Sequence, residues 1–264
     1  MRRLSFVFVA LSALFVYAGS AAAMPVSTTL TINTAQSGLL VTIAALGSVT
    51  ATVSTALNGT QDITIDDCEP ISSTLTFDGG NVGLNDVSLN LDLGPLGGVR
   101  AAFVGVATTG LVSSGQIPLN YTGGTWNYLF DPGDPNGGNV TSLTINSGVL
   151  TYNGTGVAGM LLGSGTLDFS TDPVSIDLPS LGQVATLTQA LLGNTGVTTT
   201  YGVTISAPIS ISQNVITDPV AVAATLQGNI VATGVYICVP EPSTMVLLGI
   251  ALAGLVPLYR RIKK

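Results

Sequence analysis

A strict two-residue period governs the most regular parts of this chain and excludes most architectures at once. Residues 87–93 alternate apolar and polar without a break, residues 203–212 do the same, and residues 174–178 repeat the pattern. Shorter stretches at 30–32, 63–65, 143–145 and 167–169 follow it. Successive side chains of a strand point to opposite faces, so this pattern describes half-buried antiparallel strands. Thr and Val fill them, as a pleated surface favours. Between them stand the turn formers Asn58-Gly59, Asp78-Gly79-Gly80, Gly94-Pro95, Gly97-Gly98, Gly123-Gly124, Asn153-Gly154 and Asn194-Thr195-Gly196. Similar Ser-Gly segments at 37–39, 147–149 and 164–166 recur at unequal spacings, which gives no support to a solenoid or propeller. The expected fold is all-β, an antiparallel β-sandwich or a curved open sheet over residues 24–238. That length, about 215 residues, suffices for one large core.

Two places depart from the period. Pro208 interrupts the best strand on its polar side, which predicts an edge or a bulge. Residues 180–192 fit a helix capped by Ser180, with Leu181, Val184, Leu187 and Leu191 on one face, although 183–188 equally fit a strand.

Charge placement is as informative as the period. Only 8% of residues are charged and none is histidine. Arg2 and Arg3 open the chain, Arg260, Arg261, Lys263 and Lys264 close it, and Arg100 is the one cation between. Against thirteen carboxylates from Asp62 to Asp218, that leaves the body at −12. A surface so poor in cations does not neutralise phosphates, so nucleic acid and anionic lipid surfaces are excluded as partners of the body. Without His or internal Lys there is no Ser-His-Asp triad, His-ligated metal or Schiff base.

Both ends read as addresses. Met1-Arg2-Arg3, an apolar run over 4–18 and the small-residue cluster at 19–23 form a signal peptide, with Ala21 and Ala23 at the −3 and −1 positions and Met24 as the mature start. The alternative is an uncleaved anchor. At the other end, Pro240-Glu241-Pro242 precedes an apolar run over 243–259 and the basic end Arg260, Arg261, Lys263 and Lys264. Prolines on both sides of Glu241 keep helix from starting there. The 243–259 run gives about 25 Å of transmembrane helix, near the lower limit for a bilayer. Its basic end belongs in the cytoplasm and the body outside.

This tripartite tail resembles the PEP-CTERM protein-sorting signal, with Pro240, Glu241 and Pro242 as the sorting motif and 260–264 as the basic stop. The resemblance covers residues 239–264 alone. It implies a Gram-negative-type bacterium, processing by the membrane enzyme exosortase, and delivery to the cell surface, often in organisms that make exopolysaccharide. A plain tail anchor with a proline-rich stalk is the alternative.

Cys68 and Cys238 are the only cysteines. In an exported chain they are expected to form a disulfide, tying the last strand to the first third of the body; a pair of buried thiols is the other reading. The loop 131–139 has ligand character: Asp131, Asp134, Asn136 and Asn139 offer hard oxygens that suit calcium. Pro132 and Pro135 break the spacing of an EF-type loop, so a solvated turn competes with the metal reading, and no other cofactor is implied. Asp62, Asp66, Asp67 and Glu69 form a second acidic cluster, which could also hold calcium but reads better as a charged strand end. Tyr121, Trp126 and Tyr128 lie close in sequence and present faces that could stack on sugar, or else pack as core.

Glycoside hydrolysis by a carboxylate pair is the last catalytic option, and no spacing singles out a pair. The four Asn-x-Thr sequons, at Asn58, Asn120, Asn139 and Asn153, are read as chance matches in a bacterial setting. The body also lacks the lysines that usually guard sheet edges, which gives self-association a motive. The expectation is a non-enzymatic, exported, surface-sorted structural or binding protein of the envelope or extracellular matrix. Its partners are the export machinery and exosortase, with exopolysaccharide or further copies of itself as candidates.

Overall fold

The computed structural model describes residues 25–45, 49–66, 74–122, 127–130, 140–178, 184–195, 198–216 and 222–239. Within them the alternating segments become fifteen strands. They are β1 (Val26–Ile32), β2 (Gly38–Ala45), β3 (Val49–Ile65), β4 (Thr74–Leu84), β5 (Val87–Asp92), β6 (Gly98–Ser113), β7 (Ile117–Pro118), β8 (Asn120–Tyr121), β9 (Asn127–Phe130), β10 (Thr141–Thr155), β11 (Ser164–Asp168), β12 (Val174–Leu178), β13 (Ala185–Asn194), β14 (Thr199–Ile216) and β15 (Val222–Cys238). A 3-10 turn at Gly94–Leu96 and a short helix, α1 (Gly156–Leu162), complete the described elements.

All fifteen strands join one antiparallel sheet in the order β11-β10-β6-β4-β3-β1-β15-β14-β13-β9-β8. β5 and β12 flank β6 and β10, β7 flanks β4, and β2 lies between β3 and β15. The period seen in the sequence persists in space: along 201–210 of β14 every odd residue is buried and every even one is not. Leu143 of β10 and Ile176 of β12 share one cluster with Ile63, Phe77, Leu30, Leu187 and Val203, from strands spread along the whole order. Residues so far apart in strand order meet only because the sheet curls, so one face encloses the core. The architecture is therefore the curved sheet rather than two hydrogen-bonded sheets stacked face to face.

Two polar side chains hold irregular places in this curl. The five residues between β1 and β2 interrupt what would otherwise be one strand running between β3 and β15. The β1–β3 pairing joins Thr31 to Thr60 and the β2–β3 pairing joins Gly38 to Ala56, so the segment carries extra residues relative to its neighbour. Ser37, buried there, completes a half-broken backbone rung: its Oγ accepts from Val231 N–H at 2.8 Å and donates at 3.0 Å to Val231 C=O, which also accepts from Asn33 N–H at 2.8 Å. A buried peptide group left without partners is costly, so this hydroxyl lets the bulge exist inside the sheet.

Gln61 does comparable work where β3, β4 and β6 bend past one another. It is 1% exposed. Its Nε2 lies 2.8 Å from Gly79 O, 2.9 Å from Leu111 O and 3.0 Å from Asp62 O, and its Oε1 accepts from Leu111 N–H at 2.7 Å. The β3–β4 register slips at this point, between Asp62 and Ile63. Gly110, at φ +71°, gives the carboxamide room, since a Cβ there would stand 2.9 Å from Gln61 Oε1.

Several local expectations are corrected. Residues 185–194 are strand β13, not helix: Ala185, Leu187 and Gln189 are buried while Thr186, Thr188 and Ala190 are exposed, a two-residue period that pairing with β9 and β14 enforces. Residues 180–183 lie outside the described residues. Asn58-Gly59, Asp78-Gly79-Gly80 and Asn153-Gly154 sit inside β3, β4 and β10 rather than at turns. Their glycines serve close approach and bulging: a Cβ on Gly59 would fall 1.9 Å from Asn81 O. Pro208 pairs with Asn229 of β15, while the β13 register ends at Ser206, so among the described residues it has a strand on one side only.

Candidate functional site

Three strand ends meet at one end of the sheet. β3 ends at Ile65 opposite Val26 of β1, and Leu75 of β4 pairs with Ile65. On the other flank of β1, Thr31 pairs with Thr233 of β15; continuing that register brings Cys238 level with Val26. The first described strand, the end of β3 and the end of the last strand therefore meet at the same level. From there the chain passes through exposed Val239 to the tail. β15 is well secured for that role, paired with β14 from Cys238 to Val222 and with β1 and β2 on its other side.

Two tyrosine pairs lie on the strands beyond β1 in the sheet order. Tyr121 on β8 and Tyr128 on β9 pair directly, their rings 5.6 Å apart and tilted by 45°. Tyr121 is 48% exposed, but Tyr128 is fully buried. Of the expected sugar-stacking trio, then, Tyr128 serves the core, because β13 and β14 wrap its ring inside the curl. Tyr121 remains partly exposed, and Trp126 lies outside the described residues. Tyr201 and Tyr236 stack at 5.4 Å, and Gln189 Nε2 donates to Tyr236 Oη at 2.7 Å. Three buried atoms, Tyr128 Oη, Gln189 Oε1 and Thr141 Oγ1, have no hydrogen-bond partner among the described residues.

Burial, reinforced by Tyr121 and Tyr201, pushes the Tyr128 hydroxyl up to about 12 from its usual 10. An unfolded tyrosine loses its proton near pH 10 while native Tyr128 keeps it to about 12. Stability that is complete below pH 10 is therefore lost as pH rises through this window. Tyr128→Phe removes a buried hydroxyl that satisfies nothing, so it is expected to leave stability at pH 7 unchanged or raised by about 1 kcal/mol. Thermal melts between pH 9 and 12 should also show a shallower alkaline fall than the parent. A loss of 2 kcal/mol or more at pH 7 would mean that the hydroxyl has an important partner.

The acidic candidates act as hydrogen-bond acceptors between strands. Asp62 accepts from Thr29 Oγ1 at 2.5 Å; Asp66 accepts from Gln116 Nε2 at 3.1 Å and Thr74 Oγ1 at 3.3 Å. Among the described residues no group of three or more Cys, Asp or Glu side chains could hold a metal ion. Asp67, Glu69 and the whole calcium candidate, Asp131, Asp134, Asn136 and Asn139, lie outside the described residues. Cys238 is buried, no free cysteine occurs among the described residues, and Cys68 lies outside them. The signal segment 1–23, the sorting residues Pro240, Glu241 and Pro242, the apolar run 243–259 and the cations Arg260, Arg261, Lys263 and Lys264 are also outside them. No helix among the described residues is long and apolar enough to cross a membrane.

The segment beyond β15 decides the assignment. Residues 239–264 match the PEP-CTERM protein-sorting motif. The match begins one residue after β15 ends, so sheet and PEP-CTERM segment abut without a linker. The motif implies a precursor that passes the membrane, is processed by exosortase and is sorted to the cell surface. Nothing matches the chain among curated proteins or among solved structures.

Proposed function

We propose that this is a non-catalytic structural or binding protein of the bacterial envelope or extracellular matrix, displayed at the cell surface through its PEP-CTERM tail. The observation that carries this reading is the PEP-CTERM match at 239–264 joined directly to the most extensively paired strand of a curved sheet. In this reading residues 1–23 direct export and are removed, residues 243–259 hold the precursor in the membrane with 260–264 inside, and exosortase acts on the tail. Support for a non-enzymatic role comes from composition: without histidine, and with one internal cation, most catalytic constellations have no residues to form them.

A Cys68–Cys238 bridge belongs to the same reading. Ile65 and Cys238 stand level on the two flanks of β1, and three residues of chain beyond Ile65 suffice to cross that strand, about 10 Å at the usual spacing. Mass spectrometry of the surface-exposed form tests all of these points together. The expected species begins at Met24, lacks the apolar run and basic end, and contains Cys68 linked to Cys238. An intact cytosolic polypeptide with Met1 retained and both thiols reduced would overturn the reading.

A further inference from the structure

The only cation of the body stands in an ordered polar setting. Asn90 of β5 pairs with Arg100 of β6, Arg100 pairs with Asn153 of β10, and Asn153 pairs with Ser164 of β11, one row across four strands. All four side chains are exposed, so the row lies on the outer face of the sheet. Two residues along each strand, Ser88, Ala102 and Thr151 form a parallel row on the same face. Ala102 supplies no bulk between its neighbours, and a cleft of about 500 Å³ opens beside Arg100.

Three features of this face point to a ligand. Among the described residues no carboxylate or other acceptor partners the Arg100 guanidinium, although the body carries thirteen carboxylates. The flanking side chains are carboxamides and hydroxyls, which pair equally well with donors and acceptors. The row is also exposed along its length and spans three inter-strand steps, about 14 Å, so it suits a chain rather than a small molecule. A guanidinium takes a carboxylate through two parallel hydrogen bonds, and the amides and hydroxyls beside it match sugar hydroxyls. The strong negative charge of the rest of the body disfavours densely charged polymers.

We propose that the outer face of β5, β6, β10 and β11 binds an acidic polysaccharide with sparse carboxylates, one sugar carboxylate pairing with Arg100 and neighbouring hydroxyls with Asn90 and Asn153. Its location suits that role. Val112 of β6 pairs with Asp78 near the tail end of the sheet, and Arg100 lies twelve residues away along the same strand, about 40 Å. The site thus lies toward the other end of β6 from the point where the described chain ends at Val239. This inference deepens the binding role proposed above and rests on it.

The test uses full-length protein in detergent, probed with hyaluronan, which has one carboxylate per disaccharide, and with neutral dextran and polyglutamate as comparisons. Retention on hyaluronan is expected, falling with added salt, with little on dextran or polyglutamate. Arg100→Gln should weaken hyaluronan binding about tenfold, the loss of roughly one charge-assisted pair, and Arg100→Lys should restore part of it. Asn90→Ala with Asn153→Ala should weaken it without changing its salt dependence. Equal binding by Arg100→Gln, or no hyaluronan binding by the parent, would overturn the site. Equal retention on polyglutamate would reassign it to an acidic peptide, and equal retention on dextran would remove the charge requirement. Surface display is measured separately in cells, so a failure of sorting and a failure of this site give different results.

Discussion

Replacing Gln61 with leucine is expected to destabilise the protein by about 3–5 kcal/mol, enough to lower its melting temperature by roughly 10 °C. The side chain volumes are similar, so the loss is one of hydrogen bonding. Leu111 N–H and the carbonyls of Gly79, Asp62 and Leu111 all face the Gln61 carboxamide. Leucine leaves those four backbone groups buried without this partner, and each such group costs about 1–3 kcal/mol, offset where the bulge relaxes or water enters. A domain of ordinary stability has about 5–15 kcal/mol in total, so the variant approaches the threshold for folding at all. Glutamate at the same position retains Oε1 as an acceptor but loses the amide donors, and should fall between parent and leucine only when protonated at acid pH. Urea unfolding of the purified variants checks this. A leucine variant within 1 kcal/mol of the parent would show that β3, β4 and β6 hold their bend without the carboxamide.

Neutralising the tail cations should have a larger effect on location than any core change. With Arg260, Arg261, Lys263 and Lys264 all changed to glutamine, the surface-exposed form is expected to fall about tenfold or more. Carrying one such charge to the bilayer centre costs about 2.5–3.5 kcal/mol on insertion scales, so in the proposed topology four of them would hold the inner end of a short apolar run in the cytoplasm. Without them the run, already near the lower length limit, has little to fix its depth or orientation. Truncation after Cys238 gives a different outcome. The last described strand ends at that residue, so the truncated chain should fold, cross the inner membrane and appear in soluble form instead of at the surface. Fractionation and protease accessibility of whole cells separate these results. Undiminished surface display in the glutamine variant would show that exosortase recognition does not depend on the basic end.

The sequence was most legible where one physical cause acts alone. Residues 174–178 read as a strand and are one, β12, with Ile176 buried between exposed Ser175 and Asp177. The tail was legible because membrane passage demands composition rather than tertiary contacts, and the PEP-CTERM match agrees over the same residues. Glycine misled in the interior of β3, β4 and β10. A glycine that terminates a strand and one that lets two backbones approach look identical in sequence, and Gly59 is of the second kind. The helical reading near 185–194 failed because leucines at positions 187 and 191 satisfy either period, and only the pairing of β13 with β9 and β14 decides between them. Gln61 and Ser37 gave no signal: nothing local marks a polar residue that will substitute for a backbone rung. Arg100 was conspicuous as a lone cation, but its neighbours Asn90 and Asn153 are separated from it by 10 and 53 positions and only the register unites them.

The place of β1 between β3 and β15 has a temporal consequence. The first of the described strands to leave the ribosome cannot acquire its second neighbour until the last of them has been made and moved across the membrane. Contacts this remote in sequence close slowly, so the chain is expected to traverse the export channel without its native centre and to assemble outside. In the topology proposed above, the apolar run beyond Cys238 reaches the bilayer by then, and maturation takes place while the polypeptide is still tethered there. Tail removal before the central strands lock would release an unfinished sheet, which makes the order of locking and cutting a point of quality control in the life of this protein.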